Sequence, residues 1–271
     1  MKDPRSSQWY FSLPSAAWQF CQTATNRPNS PVLPKTVLIV TPVWNDSTRL
    51  GEYAPSLAKA CAESGLDIRW VISDDGSTEE EIQALETLRE KHLPTFPEIH
   101  IHREEHRGKG SAIRGAWDAD QNSDWLAFVD CDGSTTAPDM LSLIEKAIEE
   151  SKSVIGIRKR TEATEIHESF YRSIFHNGYL LIVRLFLGLQ CEDPQCGAKV
   201  IRGEHYREVA STLQEDGFCI DTELLTALKE RGFDWLETPI NWAEKKGGKV
   251  FPLIDSWKMF AGVLRIRSRH R

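Results

Sequence analysis

The sequence predicts an α/β protein, an open and mostly parallel sheet flanked by helices, with a more helical C-terminal part. Three observations carry this. Short apolar runs alternate with helical patterns from Thr36 to Ile157, and such alternation implies parallel strands joined by crossover helices. Two of those runs, Trp70-Val71-Ile72-Ser73 and Trp125-Leu126-Ala127-Phe128-Val129, lead directly into acidic groups. These are Asp74-Asp75 and Asp130-Cys131-Asp132, and carboxylates at the C-terminal ends of strands lie where open α/β sheets bind ligands. Finally, 271 residues with 40% hydrophobic and 27% charged side chains fit a soluble globular chain of one large or two small domains.

Residues 1–34 are rich in Ser, Pro, Asn and Thr with Trp9, Tyr10, Phe11 and Trp18 interspersed, and read as an extension that packs on the main domain or on a partner. The main domain is expected over 35–271. Thr36 to Val40 reads as the first strand and Leu50 to Ser64 as a helix of roughly helical apolar spacing. Ile68 to Ile72 is the second strand. Thr78 caps a charged helix that runs to about His92. Ile99 to His102 is the third strand, and Gly108-Lys109-Gly110-Ser111 opens a helix to about Asp120. Trp125 to Val129 is the fourth strand, Pro138 starts a helix over Asp139 to Glu150, and Val154 to Ile157 is the fifth strand. Beyond this the pattern is less regular. Ser169 to Leu189 is a long helical pattern interrupted at Gly178, Asp221 to Lys229 is a helix, and Leu253 to Arg271 is a basic amphipathic helix.

A net charge of −7 argues against non-specific nucleic-acid binding. Six cysteines without CxxC spacing, and no signal-peptide pattern, lead to the expectation of a reduced, cytoplasmic setting. No apolar run spans a bilayer, so membrane contact, if made, is expected to be peripheral. Cys191 and Cys196 have no partners at zinc spacing, and the eight histidines are scattered.

An Asp-x-Asp at a strand end presents hard oxygen ligands to Mg²⁺ or Mn²⁺, ions commonly completed by substrate phosphates. Asp130 and Asp132 are therefore the candidate metal ligands. Asp74-Asp75-Gly76-Ser77 alone would read as a turn; a second acidic group after another strand favours a site. Arg107-Gly108-Lys109-Gly110-Ser111 lacks Walker spacing, but glycines before a helix N-terminus with flanking cations suit an anion.

Together these residues resemble a family 2 glycosyltransferase of the GT-A (Rossmann-like) fold, in particular the dolichyl-phosphate β-glucosyltransferases and their bacterial polyprenyl-phosphate relatives. The resemblance runs in order through Val37-Leu38-Ile39-Val40-Thr41-Pro42 with Asn45, Asp74-Asp75-Gly76-Ser77, and Arg107-Gly108-Lys109-Gly110 with Ala112-Ile113-Arg114. It continues through Asp130-Cys131-Asp132-Gly133, Asp193-Pro194-Gln195-Cys196-Gly197-Ala198-Lys199 and Ile220-Asp221-Thr222-Glu223. Pro239-Ile240-Asn241-Trp242 and Gly248-Lys249-Val250 complete it. The resemblance implies a nucleotide-sugar-binding half over 35–132 and an acceptor-side half over 133–271. It places Pro42, Asn45, Asp74 and Asp75 with the nucleobase and ribose, Lys109 near the nucleotide, and Asp130 and Asp132 at the diphosphate and its metal. Gln195 and Lys199 would shape the donor-sugar side, and Arg158 and Arg172 would bind an acceptor phosphate. The implied activity is inverting transfer of glucose from UDP-glucose to a polyprenyl phosphate on a membrane surface. Two departures stand out: Cys131 inside Asp-x-Asp, and Ala198 where an aromatic precedes the lysine.

A soluble alcohol or glycan acceptor is the alternative. It would need a general base, for which Asp221 or Glu223 is the candidate; otherwise both are solvated carboxylates in a helical first turn. A nucleotidyltransferase would need a glycine-rich basic loop after the first strand, and Thr41-Pro42-Val43-Trp44-Asn45 is not one. A non-catalytic sugar-nucleotide sensor would be expected to have lost the metal aspartates, and both are present.

Overall fold

The computed structural model describes residues 35–167, 170–245 and 252–270, with the backbone alone at 167, 170–175 and 252–256. The extension expected over 1–34 and the stretch Gly248-Lys249-Val250 lie outside the described residues.

The apolar run at Val37 builds the central strand, β1 (Thr36–Val43), with parallel neighbours on both sides, β2 (Asp67–Asp75) and β4 (Trp125–Val129). Outside β2 lies β3 (Ile99–Glu104), also parallel. Beyond β4, strand β7 (Ala198–Arg202) runs antiparallel between β4 and β5 (Ser153–Ile157). The edge strand β8 (Trp235–Pro239) is parallel to β5. The order is β3-β2-β1-β4-β7-β5-β8, and the short strands β6 (Ile166–His167) and β9 (Trp242–Ala243) form a separate pair. The helices are α1 (Ser47–Glu63), α2 (Glu79–His92), α3 (Lys109–Ala119), α4 (Ala137–Glu150), α5 (Phe170–Leu187), α6 (Gly203–Val209), α7 (Ile220–Glu230) and α8 (Pro252–Arg269).

Alternate residues of each central strand enter two cores. Val37, Ile39, Trp70 and Ile72 pack with Leu50, Leu57, Leu85, Met140 and Ile144 of α1, α2 and α4. Leu38, Val40 and Phe128 pack on the other face with Ile113, Trp117, Val183, Leu224 and Leu228 of α3, α5 and α7. Covering both faces is what makes the strands unbroken apolar runs. Each fully buried aliphatic side chain among them contributes roughly 1.5–3 kcal/mol.

Several elements depart from expectation. The second strand does not end at Ile72: Asp74 pairs with Val43 and Asp75 with Glu104, so both aspartates are strand residues and not a turn. Strands β7 and β8 were not apparent in the sequence. β7 carries Lys199 as its second residue, and β8 is a half-buried edge containing Glu237 and ending at Pro239. Helix α5 runs through Gly178 without a break, because a glycine on an exposed face weakens a helix without ending it.

The amphipathic tail forms as α8, but its faces are turned relative to the simplest expectation of apolar stripe inward and cations to water. Val263 and Ile266 are buried, whereas Trp257 and Leu264 are exposed. Two arginines pair with buried carboxylates: Arg265 Nη2 lies 2.6 Å from Glu215 Oε2, Arg269 pairs with Glu215 as well, and Arg269 Nη1 is 2.8 Å from Glu223 Oε1. Leu181 and Leu185 of α5 are also exposed. Among the described residues no helix is long and apolar enough to cross a membrane.

The start of α3 abuts the segment before α7. Gly110 N and Ser111 N both donate to Asp216 O, at 2.6 and 3.1 Å. A Cβ at Gly110 would stand 2.3 Å from Glu215 O and 2.8 Å from Ile220 Cβ, a clash with backbone that no side-chain rotation relieves. Gly110→Ala is therefore expected to destabilise the fold by about 3 kcal/mol, read as a lowered urea midpoint. A midpoint equal to that of the wild type would mean the two segments can separate at no cost.

Candidate active site

The site lies at the C-terminal ends of β1, β2 and β4. Asp75 is buried, and its Oδ1 accepts from Arg107 N and Gly108 N, both at 2.9 Å, while Oδ2 lies 2.8 Å from His106 Nδ1. Asp74 accepts from Ser77 N at 3.3 Å. Asn45, with φ of 48°, donates its N–H to Ser77 Oγ and accepts from Thr78 N, both at 2.8 Å. Pro42 is buried in β1 beside Ser73. These residues knit three loops into one wall.

This corrects the expectation of a phosphate-cradling loop at 107–111. The amides of Arg107 and Gly108 hold the carboxylate of Asp75, and those of Gly110 and Ser111 hold a carbonyl, so the anion this loop cradles is the protein's own. Asp75 thus has a holding role that its sequence context did not reveal. On the same wall Trp44 is 40% exposed and stacks on His106, with centroids 4.3 Å apart and planes inclined by 14°. The signal for Trp44 in the sequence is an aromatic directly after a strand end, in Pro-x-Trp-Asn.

From the same loop the Lys109 side chain reaches the end of β4. Its Nζ is 2.8 Å from Asp130 Oδ1 and 3.3 Å from Asp221 Oδ2, and 5.0 Å from the centre of the Phe128 ring. Asp221 Oδ1 pairs in turn with Lys199 Nζ, which also donates to Cys196 O at 2.6 Å. Asp130, Lys109, Asp221 and Lys199 form one alternating chain of charge beneath Phe128. Burial alone would lower the pKa of Lys109, but Asp130 and Asp221 outweigh it and raise it. Desolvation in the recess pushes the Asp130 carboxyl above its ordinary range; Lys109 opposes this, and Asp132 adds to it. Asp130 is nonetheless the open end of the chain, its side chain 39% exposed against 13% for Lys109. A Cβ at residue 197 would lie 1.9 Å from Asp130 Oδ2, so Gly197 is what lets this carboxylate sit here.

Two expectations change. Lys199 is fully buried behind Asp221, so it supports the site and cannot line the donor-sugar side. Asp221 and Glu223 are not solvated first-turn carboxylates: their residues are 3% and 0% exposed. Glu223 accepts from Gln214 N and Glu215 N at 2.8 and 2.7 Å and meets Arg269, so its partners lie apart from the Asp130 recess.

Asp132 shares the recess. Its Oδ1 accepts from Ser134 N at 2.9 Å and its Oδ2 lies 3.4 Å from Arg49 Nη1. Among the described residues no three His, Cys, Asp or Glu side chains assemble into a ready metal cage. What Asp130 and Asp132 offer is an incomplete set of hard oxygens beside a cation, which fits Mg²⁺ or Mn²⁺ completed by diphosphate oxygens.

In the half expected to meet the acceptor, Arg158 follows β5. Its Nε and Nη2 grip Asp193 Oδ2 and Oδ1 at 2.7 and 2.8 Å, and Nη2 is 3.2 Å from His176 Nδ1 of α5. Burial would raise the pKa of Asp193, but Arg158 beside it holds the carboxyl below the ordinary range. The bidentate edge expected to grip an acceptor phosphate is therefore engaged by Asp193. Gln195 Nε2 lies 3.7 Å from Met259 Sδ of α8. Position 172 is in α5, one turn before His176, and the Arg172 side chain lies outside the described residues.

The profile of glycosyl transferase family 2 matches residues 38–209. The chain is 26% identical over 245 residues to a dolichyl-phosphate beta-glucosyltransferase of Dictyostelium discoideum, covering 86% of this chain and 74% of that protein. It is 30% identical over 216 residues to the Saccharomyces cerevisiae enzyme of the same name, covering 73% of this chain and 64% of that protein. In fold it resembles glucosyl-3-phosphoglycerate synthase from Mycobacterium tuberculosis, solved with Mn²⁺ and UDP-glucose, with a TM-score of 0.62 at 16% identity over 90% of this chain and 85% of that one. The sheet order and this likeness give a GT-A fold. The chain belongs to glycosyl transferase family 2 and is a glycosyltransferase.

Proposed function

We propose that the chain is a metal-dependent, inverting enzyme that moves glucose from UDP-glucose to the phosphate of a polyprenyl or dolichyl phosphate. The observation that carries the acceptor is the engagement of Asp221. An alcohol acceptor needs a group to take its proton. Both oxygens of Asp221 already carry lysine ammonium partners, and Glu223 is enclosed with Gln214, Glu215 and Arg269. A phosphate monoester, with a second pKa of about 6, is largely ionised at neutral pH and attacks without a base. The names of the relatives support the same acceptor, and the UDP-glucose of the solved synthase supports the donor.

On this reading the base stacks on Trp44 along the wall that Asn45, Asp74 and Asp75 hold together. Asp130 and Asp132 would hold the divalent ion, which when bound would neutralise charge on the departing diphosphate. Lys109 supplies a fixed cation for the same oxygens, pre-oriented by Asp130 and Asp221, so little reorganisation is needed as charge develops. Attack from the face opposite the leaving group turns an α-linked donor into a β-linked product. Arg158 braces Asp193 and α5, and Arg172 is assigned to the acceptor phosphate. The exposed Leu181, Leu185, Trp257 and Leu264, with Arg184 and Lys258 also exposed, suit a reversible seat on the anionic cytoplasmic face of a membrane.

The deciding assay is release of UDP from UDP-glucose with and without a short-chain polyprenyl phosphate, with the product linkage read by NMR. Release that needs the lipid phosphate and gives a β-linkage is the expected result. Release driven equally by a soluble alcohol would replace the acceptor reading.

Asp132→Asn keeps Oδ1 for Ser134 and should fold normally, yet lose turnover by roughly a hundredfold or more. Excess chelator should abolish wild-type turnover, and full activity in chelator would rule out the metal role.

Co-sedimentation with anionic vesicles is expected at low salt and should fall at high salt. The double variant Leu185→Ser with Trp257→Ser should reduce it about thirtyfold or more, since each lost apolar anchor is worth roughly 1–2 kcal/mol. Equal binding by wild type and variant would remove this face from membrane contact.

A further inference from the structure

Arg49 belongs to neither the nucleotide wall nor the lysine chain. It is the third residue of α1. A cation in a helix first turn opposes the helix dipole, so carboxylates must hold it there. Asp46 takes one edge of the guanidinium: Nε lies 2.9 and 3.0 Å from its two oxygens, and Nη2 bonds the same carboxylate. The other edge presents Nη1 to Asp132 Oδ2 at 3.4 Å. Both side chains of the Arg49–Asp46 pair are largely enclosed, 19% and 11% exposed. The contrast between the edges is informative. One is a tight multidentate clamp that fixes the group, and the other is a long, weak contact that can be exchanged.

Asp132 is thus a candidate metal ligand with a permanently charged guanidinium fixed against one oxygen. A cation so placed opposes a second cation on the same carboxylate, but attracts phosphate oxygens arriving beside it. We propose that Arg49 couples metal binding to nucleotide binding: it weakens the hold of Asp132 on a divalent ion when no diphosphate is present, and lends Nη1 to the diphosphate when the donor enters. The inference rests on the metal reading of Asp130 and Asp132 given above. Coupling of this kind is reciprocal, so the ion also tightens the nucleotide.

The test is Mn²⁺ binding, read from the paramagnetic resonance signal of free Mn²⁺, for wild type and Arg49→Gln. It is run with and without UDP, after subtracting the Mn²⁺ that UDP holds in solution. Wild type should bind Mn²⁺ roughly tenfold more tightly with UDP than alone. Arg49→Gln should bind Mn²⁺ alone roughly tenfold more tightly than wild type, with the UDP effect reduced to what direct ligation by the diphosphate supplies. Asp46→Asn supplies an independent arm of opposite sign. It loosens the clamp and frees the guanidinium to close on Asp132, so Mn²⁺ alone should bind more weakly than to wild type. No Mn²⁺ binding by wild type even with UDP would overturn the metal reading and this inference with it. Nucleotide-dependent binding by wild type that Arg49→Gln leaves unchanged would overturn the role of Arg49 alone.

Discussion

The alternating chain Asp130–Lys109–Asp221–Lys199 is the constraint on which the catalytic end of the sheet depends. Its inner members are out of water, and a buried charge is tolerated only where a partner of opposite sign and further hydrogen bonds meet it. Lys199, fully buried in β7, is neutralised there by Asp221. Asp221 reaches it from the first turn of α7, where the helix dipole favours a carboxylate. Lys109 arrives from the first turn of α3, and Asp130 from the end of β4. Four elements must converge for the chain to close. The antiparallel placement of β7 between β4 and β5 follows the same need: it sets Ala198 opposite Val129 and brings Gly197 O within 2.9 Å of Asp130 N. Burial decreases along the chain toward Asp130, so its open end is the one at the recess.

The site uses its own polar groups twice over. The loop at 107–111 has the composition of an anion cradle and is one, but the anion is Asp75. Arg158 has the fork of a phosphate-binding arginine, and the fork holds Asp193. In both cases a group suited by chemistry to a ligand is used to build the wall around the ligand. Lys109 of the same segment is turned into the recess and is already oriented by Asp130 and Asp221.

The same facts explain what the sequence revealed and what it did not. Strands β1, β2 and β4 and the acidic residues that end them were legible because their signal is local. A strand buried on both faces is an apolar run of a few residues, and the carboxylates follow it directly. Partners were not legible, because they are chosen across the fold. Asp75 and Gly108 are 33 residues apart, Arg158 and Asp193 35, and Lys109 and Asp221 112. No spacing rule reaches that far. Lys199 illustrates the difficulty: a lysine inside a short run argues against a buried strand until the aspartate that neutralises it is found. Asp221 and Glu223, two residues apart on α7, point into different networks, and only the packing of α7 separates them.

Helix α8 ties the surface to this interior. Its arginines are drawn inward because Glu215 and Glu223 would otherwise be buried without counter-ions, and pairing them leaves Trp257 and Leu264 outside. The amphipathic pattern is therefore real, but the buried face is shared between Val263 and Ile266 and the arginine–carboxylate pairs. The segment so fixed is the one that receives α3: Glu215 is held by Arg265 and Arg269, and the next residue, Asp216, accepts Gly110 N and Ser111 N. Lys109 stands directly before those amides. The helix bearing the exposed tryptophan and the lysine facing the recess are thus joined through one carboxylate, one peptide unit and two hydrogen bonds. The same few residues therefore hold the proposed membrane face and the cation proposed for the donor diphosphate in fixed relation.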